Sequence, residues 1–145
     1  MDKVSRLLTV EASLELLRAA DVVVQGLAAT LKPYGLSLNQ YNVLRILRGA
    51  EPGGLPCGQI ADRMLTRDPD MTRLLDRLEG RNLVSRCREK GDRRVVLARI
   101  TKPGLEVLAE LDEPVRKKHE EQLGHLSDAK LRILIELLEA ARRPL

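Results

Sequence analysis

The stretch Leu65–Arg99, LTRDPDMTRLLDRLEGRNLVSRCREKGDRRVVLAR, decides the fold. An Asp68-Pro69-Asp70 turn precedes a run in which Met71, Leu74, Leu75 and Leu78 recur at helical spacing. The other face of that run carries Thr72, Arg73, Asp76 and Arg77. Asp70 stands where it can cap the helix. Gly80-Arg81-Asn82 ends it. Two strand-like runs, Leu83–Arg88 and Val95–Ile100, then flank a basic tip at Gly91, which predicts an antiparallel hairpin.

Upstream, Leu55-Pro56-Cys57-Gly58 opens a short helix with Ile60, Ala61 and Met64 predicted inward. Leu55 is expected to make one brief bridge to the hairpin. Two consecutive helices joined by a short turn, the second polar and basic outward, read as a helix-turn-helix with a following wing. Before them, Ser37 and Gln40 have capping-box spacing, and Leu38, Tyr41, Val43, Leu44 and Leu47 give the next helix its apolar face.

The flanks are helical too. Leu7, Val10, Leu14, Leu17, Asp21, Val24, Ala28 and Leu31 follow a 3-4 spacing, the seam pattern of a helix packed on other helices. Asp21 is its one polar break, read either as a partly exposed residue or as an interfacial sensing element. Lys32-Pro33-Tyr34-Gly35 stops this helix. Thr101 can cap a helix with Pro103 in its first turn and Leu105, Leu108 and Leu111 inward. Glu113-Pro114 is a candidate kink. A last helix after Ser127 carries Leu131, Leu134, Ile135 and Leu138. These terminal helices hold more apolar surface than a lone domain needs. Pairing of two copies through Leu7, Val10, Leu14, Leu17, Leu131, Leu134 and Leu138 accounts for it. The expected organisation is mainly α with a small β-hairpin wing: a dimerisation helix at 1–35, a winged helix-turn-helix at 36–102 and dimerisation helices at 103–145.

The net charge is +4 over 145 residues. Residues 57–102 contain 12 Lys/Arg against 7 Asp/Glu, so the whole positive surplus sits around the hairpin. Such a block fits a polyanion. Two tyrosines are the only aromatics, which argues against a base-stacking platform for single strands. Together with a predicted dimer, this points to double-stranded DNA read at a palindromic site. No apolar run approaches the length of a membrane span, and the amino-terminal run continues into an amphipathic pattern rather than a signal peptide; a cytoplasmic protein is expected.

Catalytic chemistry is poorly provided for. His119 and His125 lack the spacing of a zinc protease pair, and no Gly-rich phosphate loop is visible. No enzyme activity, cofactor or metal is expected. Cys57, at a helix start, is a candidate low-pKa thiol, which keeps open an oxidant-sensing reading. The competing reading makes Cys57 and Cys87 inert packing residues. A winged helix used only for protein binding is a further alternative.

The chain resembles the MarR family of bacterial winged-helix repressors from about Leu36 to Leu108. The resemblance rests on Asp92-Arg93-Arg94, then VVLARI, then Thr101-Lys102-Pro103-Gly104, preceded by Thr72–Glu79 and Asn82–Arg86. Asn82 stands where Gly is common in the family, and Ile100 replaces the usual Leu. The resemblance implies a homodimeric repressor. The residues themselves suggest the DNA-binding set: Thr66, Asp70, Met71, Thr72, Arg73 and Arg77 on the reading helix and its turn, with Thr66 and Thr72 suited to phosphate oxygens and Arg73 to a guanine, and Arg86, Arg88, Lys90, Arg93 and Arg94 on the wing, the first three as phosphate contacts. The resemblance makes Asp92 a structural acid and Arg94 the minor-groove residue. It also implies a small aromatic ligand between dimerisation helices and reader, near Asp21, Tyr34 or Tyr41.

Overall fold

The computed structural model describes residues 1–143. Helix α1 (Lys3–Leu31) is followed by a 3-10 turn (Lys32–Tyr34) and α2 (Leu38–Gly49). Strand β1 (Leu55–Pro56), α3 (Cys57–Arg63) and α4 (Met71–Gly80) come next. The hairpin is β2 (Val84–Arg88) and β3 (Val96–Ile100), and α5 (Lys102–Leu123) and α6 (Asp128–Arg142) close the chain. The sheet order is β1-β3-β2, fully antiparallel, with Leu55 opposite Ala98 and Arg86 also opposite Ala98 on the other side. The brief bridge expected at Leu55 is therefore present.

Short-range chemistry sets the helix starts. Ser37 Oγ accepts from Gln40 N (3.1 Å) while Gln40 Oε1 accepts from Ser37 N (3.0 Å), a complete capping box. Asp70 Oδ1 accepts from Arg73 N (3.0 Å), Thr101 Oγ1 from Gly104 N (3.1 Å) and Ser127 Oγ from Lys130 N (3.3 Å). Each satisfies an amide that the first helical turn leaves without an internal acceptor. Pro114 lies inside α5, which continues through it to Leu123.

One hydrophobic core joins the end of α1, the reader and the first half of α5, and none of the described residues of α6 belongs to it. Leu31, Val43, Leu44, Leu47, Ile60, Leu78, Val84, Leu108 and Leu111 are fully buried in it. It runs across positions 35 and 102, so the reader is packed directly on α1 and α5. Arg48 on α2 makes a two-pronged ion pair with Asp112 on α5, at 3.0 Å for each prong, across the same seam. Deleting one such core side chain to Ala costs about 2–5 kcal/mol.

Several residues lie otherwise than expected, Leu105 of α5 among them, which was expected inward and is 36% exposed. In α1 the residues that turn to the chain's own core are Val23, Leu27 and Leu31, whereas Val24 and Ala28 point out. The helix is apolar on more than one side, so the regular stripe follows the outer face. Leu7, Val10, Leu14 and Leu17 are 47–67% exposed on that face. In α3, Ile60 is buried but Ala61 is exposed. Buried Asn42 is a polar core residue that helical spacing did not flag; its Oδ1 accepts from Leu65 N (2.8 Å) and pins the α3–α4 turn.

Candidate nucleic-acid interface

Helix α4 exposes Thr72, Arg73, Asp76 and Arg77 while Leu74, Leu75 and Leu78 anchor it. Met71, expected at the interface, is half-buried and packs on the core. The turn before α4 is organised by Asn39 on α2: Asn39 Nδ2 donates to Asp68 Oδ2 (2.9 Å) and Thr66 Oγ1 donates to Asn39 Oδ1 (3.0 Å). Asp70 N donates to the other Asp68 oxygen (2.8 Å). These bonds, the one from Asn39 foremost, hold the Asp68 carboxyl below its ordinary value. Asp70 faces the helix amide it caps.

The arginines divide into two groups. Arg86 on β2 lies against α4 and pairs with both Glu79 and Asp76. Its side chain is 21% exposed, and hydrogen bonds to those carboxylates, Glu79 first, raise its already high pKa. Expected among the phosphate contacts, Arg86 instead ties wing to helix and neutralises the acids of α4. Arg88 Nη1 donates to Arg93 O (2.6 Å), bracing the tip. Arg99 pairs with Glu51 (3.2 Å) and Arg81 reaches backbone carbonyls of residues 34 and 35.

The second group has no acidic partner among the described residues: Arg73 and Arg77 on α4, and Lys90 and Arg93 at the tip. Arg94 joins them in exposure, although Asp92 Oδ1 accepts from its N (3.0 Å) and Nε (3.3 Å). Asp92 therefore does shape the wing, as a brace on Arg94. Arg63 and Arg67, at the end of α3 and in the following turn, are exposed and unpaired too. Their place beside the helix-turn-helix within the basic surplus was the available signal for them. Leu65 beside them is 76% exposed. Unpaired cations from helix and wing thus form one arrangement suited to a duplex, where phosphates attract and base edges discriminate.

A cleft of about 580 Å³ lies between the end of α1, the start of α2 and α4, bordered by Ala28, Lys32, Gln40, Asp68, Arg73 and Arg77. Asp21, Tyr34 and Tyr41 do not line it. Asp21 is exposed and accepts from Gln25 Nε2 (2.8 Å). Tyr34 is half-buried. Tyr41 is a core residue: burial pushes its phenol up, opposed by Arg45, whose guanidinium carbon lies 5.9 Å from the ring centre.

The sequence model of the MarR family matches residues 36–96, from the start of the reader to β3. A MarR transcription factor of Planctomyces limnophilus is 46% identical in sequence, and its crystal structure superposes with a TM-score of 0.72 over 91% of this chain and 96% of that one. The chain belongs to the MarR family. It is a transcriptional regulator built on a DNA-binding winged helix. Other members agree. The HTH-type transcriptional regulator MhqR of Bacillus subtilis is 29% identical over 106 residues, 73% of this chain and 72% of that one. The transcriptional repressor CouR, solved on a 23-mer DNA duplex, is 30% identical with a TM-score of 0.77, over 89% of this chain and 90% of that one. CouR from Rhodococcus jostii RHA1 was also solved with p-coumaroyl-CoA, at 25% identity and a TM-score of 0.78, over 92% of this chain and 93% of that one.

In this MarR-family chain the family's Thr-x-x-Gly signature has a physical basis. Thr101 caps α5 on the amide of Gly104, and Gly104 is buried where a Cβ would stand 2.4 Å from Leu83 O. Among the described residues no helix is long and apolar enough to cross a membrane. Cys57 is half-buried, and burial pushes its thiol up against the opposing field of Arg86. Cys87 is exposed on β2, which corrects the expectation that it packs inside.

Proposed function

We propose that this MarR-family regulator is a homodimeric repressor of an inverted-repeat operator, acting in the cytoplasm by binding and not by catalysis. The observation that carries it is the sorting of the arginines. Between residues 57 and 99, Arg81, Arg86, Arg88 and Arg99 are engaged within the protein, while Arg63, Arg67, Arg73, Arg77, Lys90 and Arg93 have no acidic partner among the described residues and lie at the end of α3, in the following turn, on α4 and at the wing tip. Thr72 and Arg73, in the first turn of α4, read base edges in the major groove; an Arg on guanine O6 and N7 discriminates by about 1–3 kcal/mol. Arg77 lies one turn along the same face. Arg94 enters the minor groove, and Lys90, Arg93, Arg63 and Arg67 meet phosphates. Thr66 keeps an acceptor role only, since its hydroxyl proton is engaged by Asn39.

The dimer is supported by the outward stripe of α1 and by Ile133, Ile135 and Leu137 of α6, which are 55–62% exposed. Leu131, Leu134 and Leu138 of α6 are half-buried already within one chain. An apolar side chain contributes about 1.5–3 kcal/mol when moved from water to a packed interface. Two copies joined there present two reading helices to half-sites about one DNA turn apart.

A small ligand seated between α1 and α4 would release the operator if it bound better to a dimer spaced wrongly for DNA, by linkage. The cleft in front of Arg73 and Arg77, and the acyl-CoA bound by CouR, support this reading.

The test is selection of bound fragments from random duplex DNA with the purified protein. An inverted repeat with half-sites about one turn apart is the expected result. Enrichment of no sequence, or of one isolated half-site, refutes the operator reading.

A further inference from the structure

The recognition helix is held at its two ends by different devices. At its start, Asp70 and the Asn39-centred turn fix it to α2. At its end, Arg81 is the C-cap residue, and its guanidinium crosses to the turn that terminates α1. Nη1 donates to Gly35 O (2.7 Å) and Nη2 to Tyr34 O (3.0 Å). Gly35 takes φ 66° there as the chain reverses into α2, and a side chain at that position would face the same guanidinium. Carbonyls at a helix end lack internal donors, and a planar fork suits two of them side by side. Between those ends, Arg73, Leu74 and Arg77 of α4 border the cleft that Ala28 and Lys32 border from the other side. Arg81 is therefore a strut across one end of that opening. Its place in the basic run suggests phosphate binding, but two of its donors are taken by backbone carbonyls of the protein.

We propose that Arg81 is a positioning residue for DNA binding: it fixes the angle of α4 against α1 and so the separation of the two reading helices. This rests on the homodimer reading above. Any tilt of α4 on α1 occurs in both protomers, so loss of the strut is felt by paired half-sites and hardly by one. Lys at position 81 keeps the charge but cannot fork onto two carbonyls.

The test compares wild type, Arg81→Gln and Arg81→Lys in a Cys57→Ser background, nitroxide-labelled at native Cys87. Pulsed electron resonance reads the distance between the two labels of a dimer. Both variants should broaden or shift that distribution relative to wild type. In binding, Arg81→Gln should weaken the selected two-half-site duplex by about tenfold while changing a single half-site duplex by less than about twofold. Its slope of log affinity against log salt should equal the wild-type slope. A slope lower by about 0.9 for each Arg81 removed marks a phosphate contact and overturns the strut. Equal weakening on both duplexes, or unchanged binding and distances, overturns it as well. Arg81→Lys behaving as wild type beside a defective Arg81→Gln shows that charge alone matters, with the same consequence. A wild-type protein that gives no label pair and no preference for two half-sites refutes the dimer reading and the strut together, which is distinct from a normal Arg81→Gln.

Discussion

Asp92 Oδ1 takes two hydrogen bonds from Arg94, at the backbone N (3.0 Å) and at Nε (3.3 Å), and still leaves the Arg94 side chain 92% exposed. The acid aims the arginine without covering it. An exposed pair of this kind contributes little to stability, so its value lies in placing the guanidinium.

Arg94→Ala should therefore weaken operator binding and lower the salt slope by about 0.9 for each Arg94 removed, about 1.8 for the dimer, if the guanidinium neutralises a phosphate-lined groove. Asp92→Ala should weaken binding with the slope unchanged, because it loosens the aim and removes no contact. Anisotropy titrations across a salt series check both. Unaltered affinity and slope in Arg94→Ala would take Arg94 out of the contact surface.

Arg86 is the counter-example within the same wing. It lies between Glu79 and Asp76, and removing it strands two carboxylates on the DNA-facing helix. Arg86→Ala should lower stability by about 1–2 kcal/mol, the range for a charge-assisted hydrogen bond with a partly solvated partner. Melting temperature should fall with it. Binding should weaken through the exposed acids, with the salt slope kept. A normal melting curve with a reduced slope would instead make Arg86 a phosphate contact.

Local chemistry was the legible part. Ser37 with Gln40, Asp70, Thr101 and Ser127 announce helix starts because each cap bonds an amide three residues on. The hairpin, its Gly91 tip and the Leu55 bridge follow from alternation and turn residues. Partners far apart in sequence were not legible. Asn42 meets an amide 23 positions away, and Arg81 meets carbonyls 46 and 47 positions away. Nothing local in a basic run separates Arg81, engaged by backbone carbonyls, from Arg73, which is not. The phase of α1 was legible only in part: its apolar residues serve two surfaces, and periodicity cannot say which stripe meets the chain's own core.

Gly104 offers a stability test. A Cβ there would stand 2.4 Å from Leu83 O and 2.7 Å from Ile100 Cγ1, the first a backbone atom that already accepts from Thr101 N. Gly104→Ala gains about 1 kcal/mol of helix propensity at most. It loses about 1–3 kcal/mol by overpacking the root of the wing. Net destabilisation is expected, read as a lower urea midpoint. Gly49, with nothing within 4 Å of its added Cβ, is the control, and Gly49→Ala should be neutral or mildly stabilising.

The thiols give a pH-dependent prediction. Burial raises Cys57 above its ordinary value of 9.0, with Arg86 opposing. A raised thiol pKa means less of the reactive thiolate at neutral pH. Its modification by an aromatic disulfide should be slow at pH 7.5 and accelerate in alkaline solution. Exposed Cys87 should react first, so one thiol per chain is titrated rapidly at pH 7.5. The oxidant-sensing reading needs the opposite order. It predicts that peroxide abolishes DNA binding in a Cys87→Ser variant, where Cys57 is the only thiol. We expect that variant to keep its operator affinity under peroxide; its loss, reversed by a reductant, would make Cys57 a sensor.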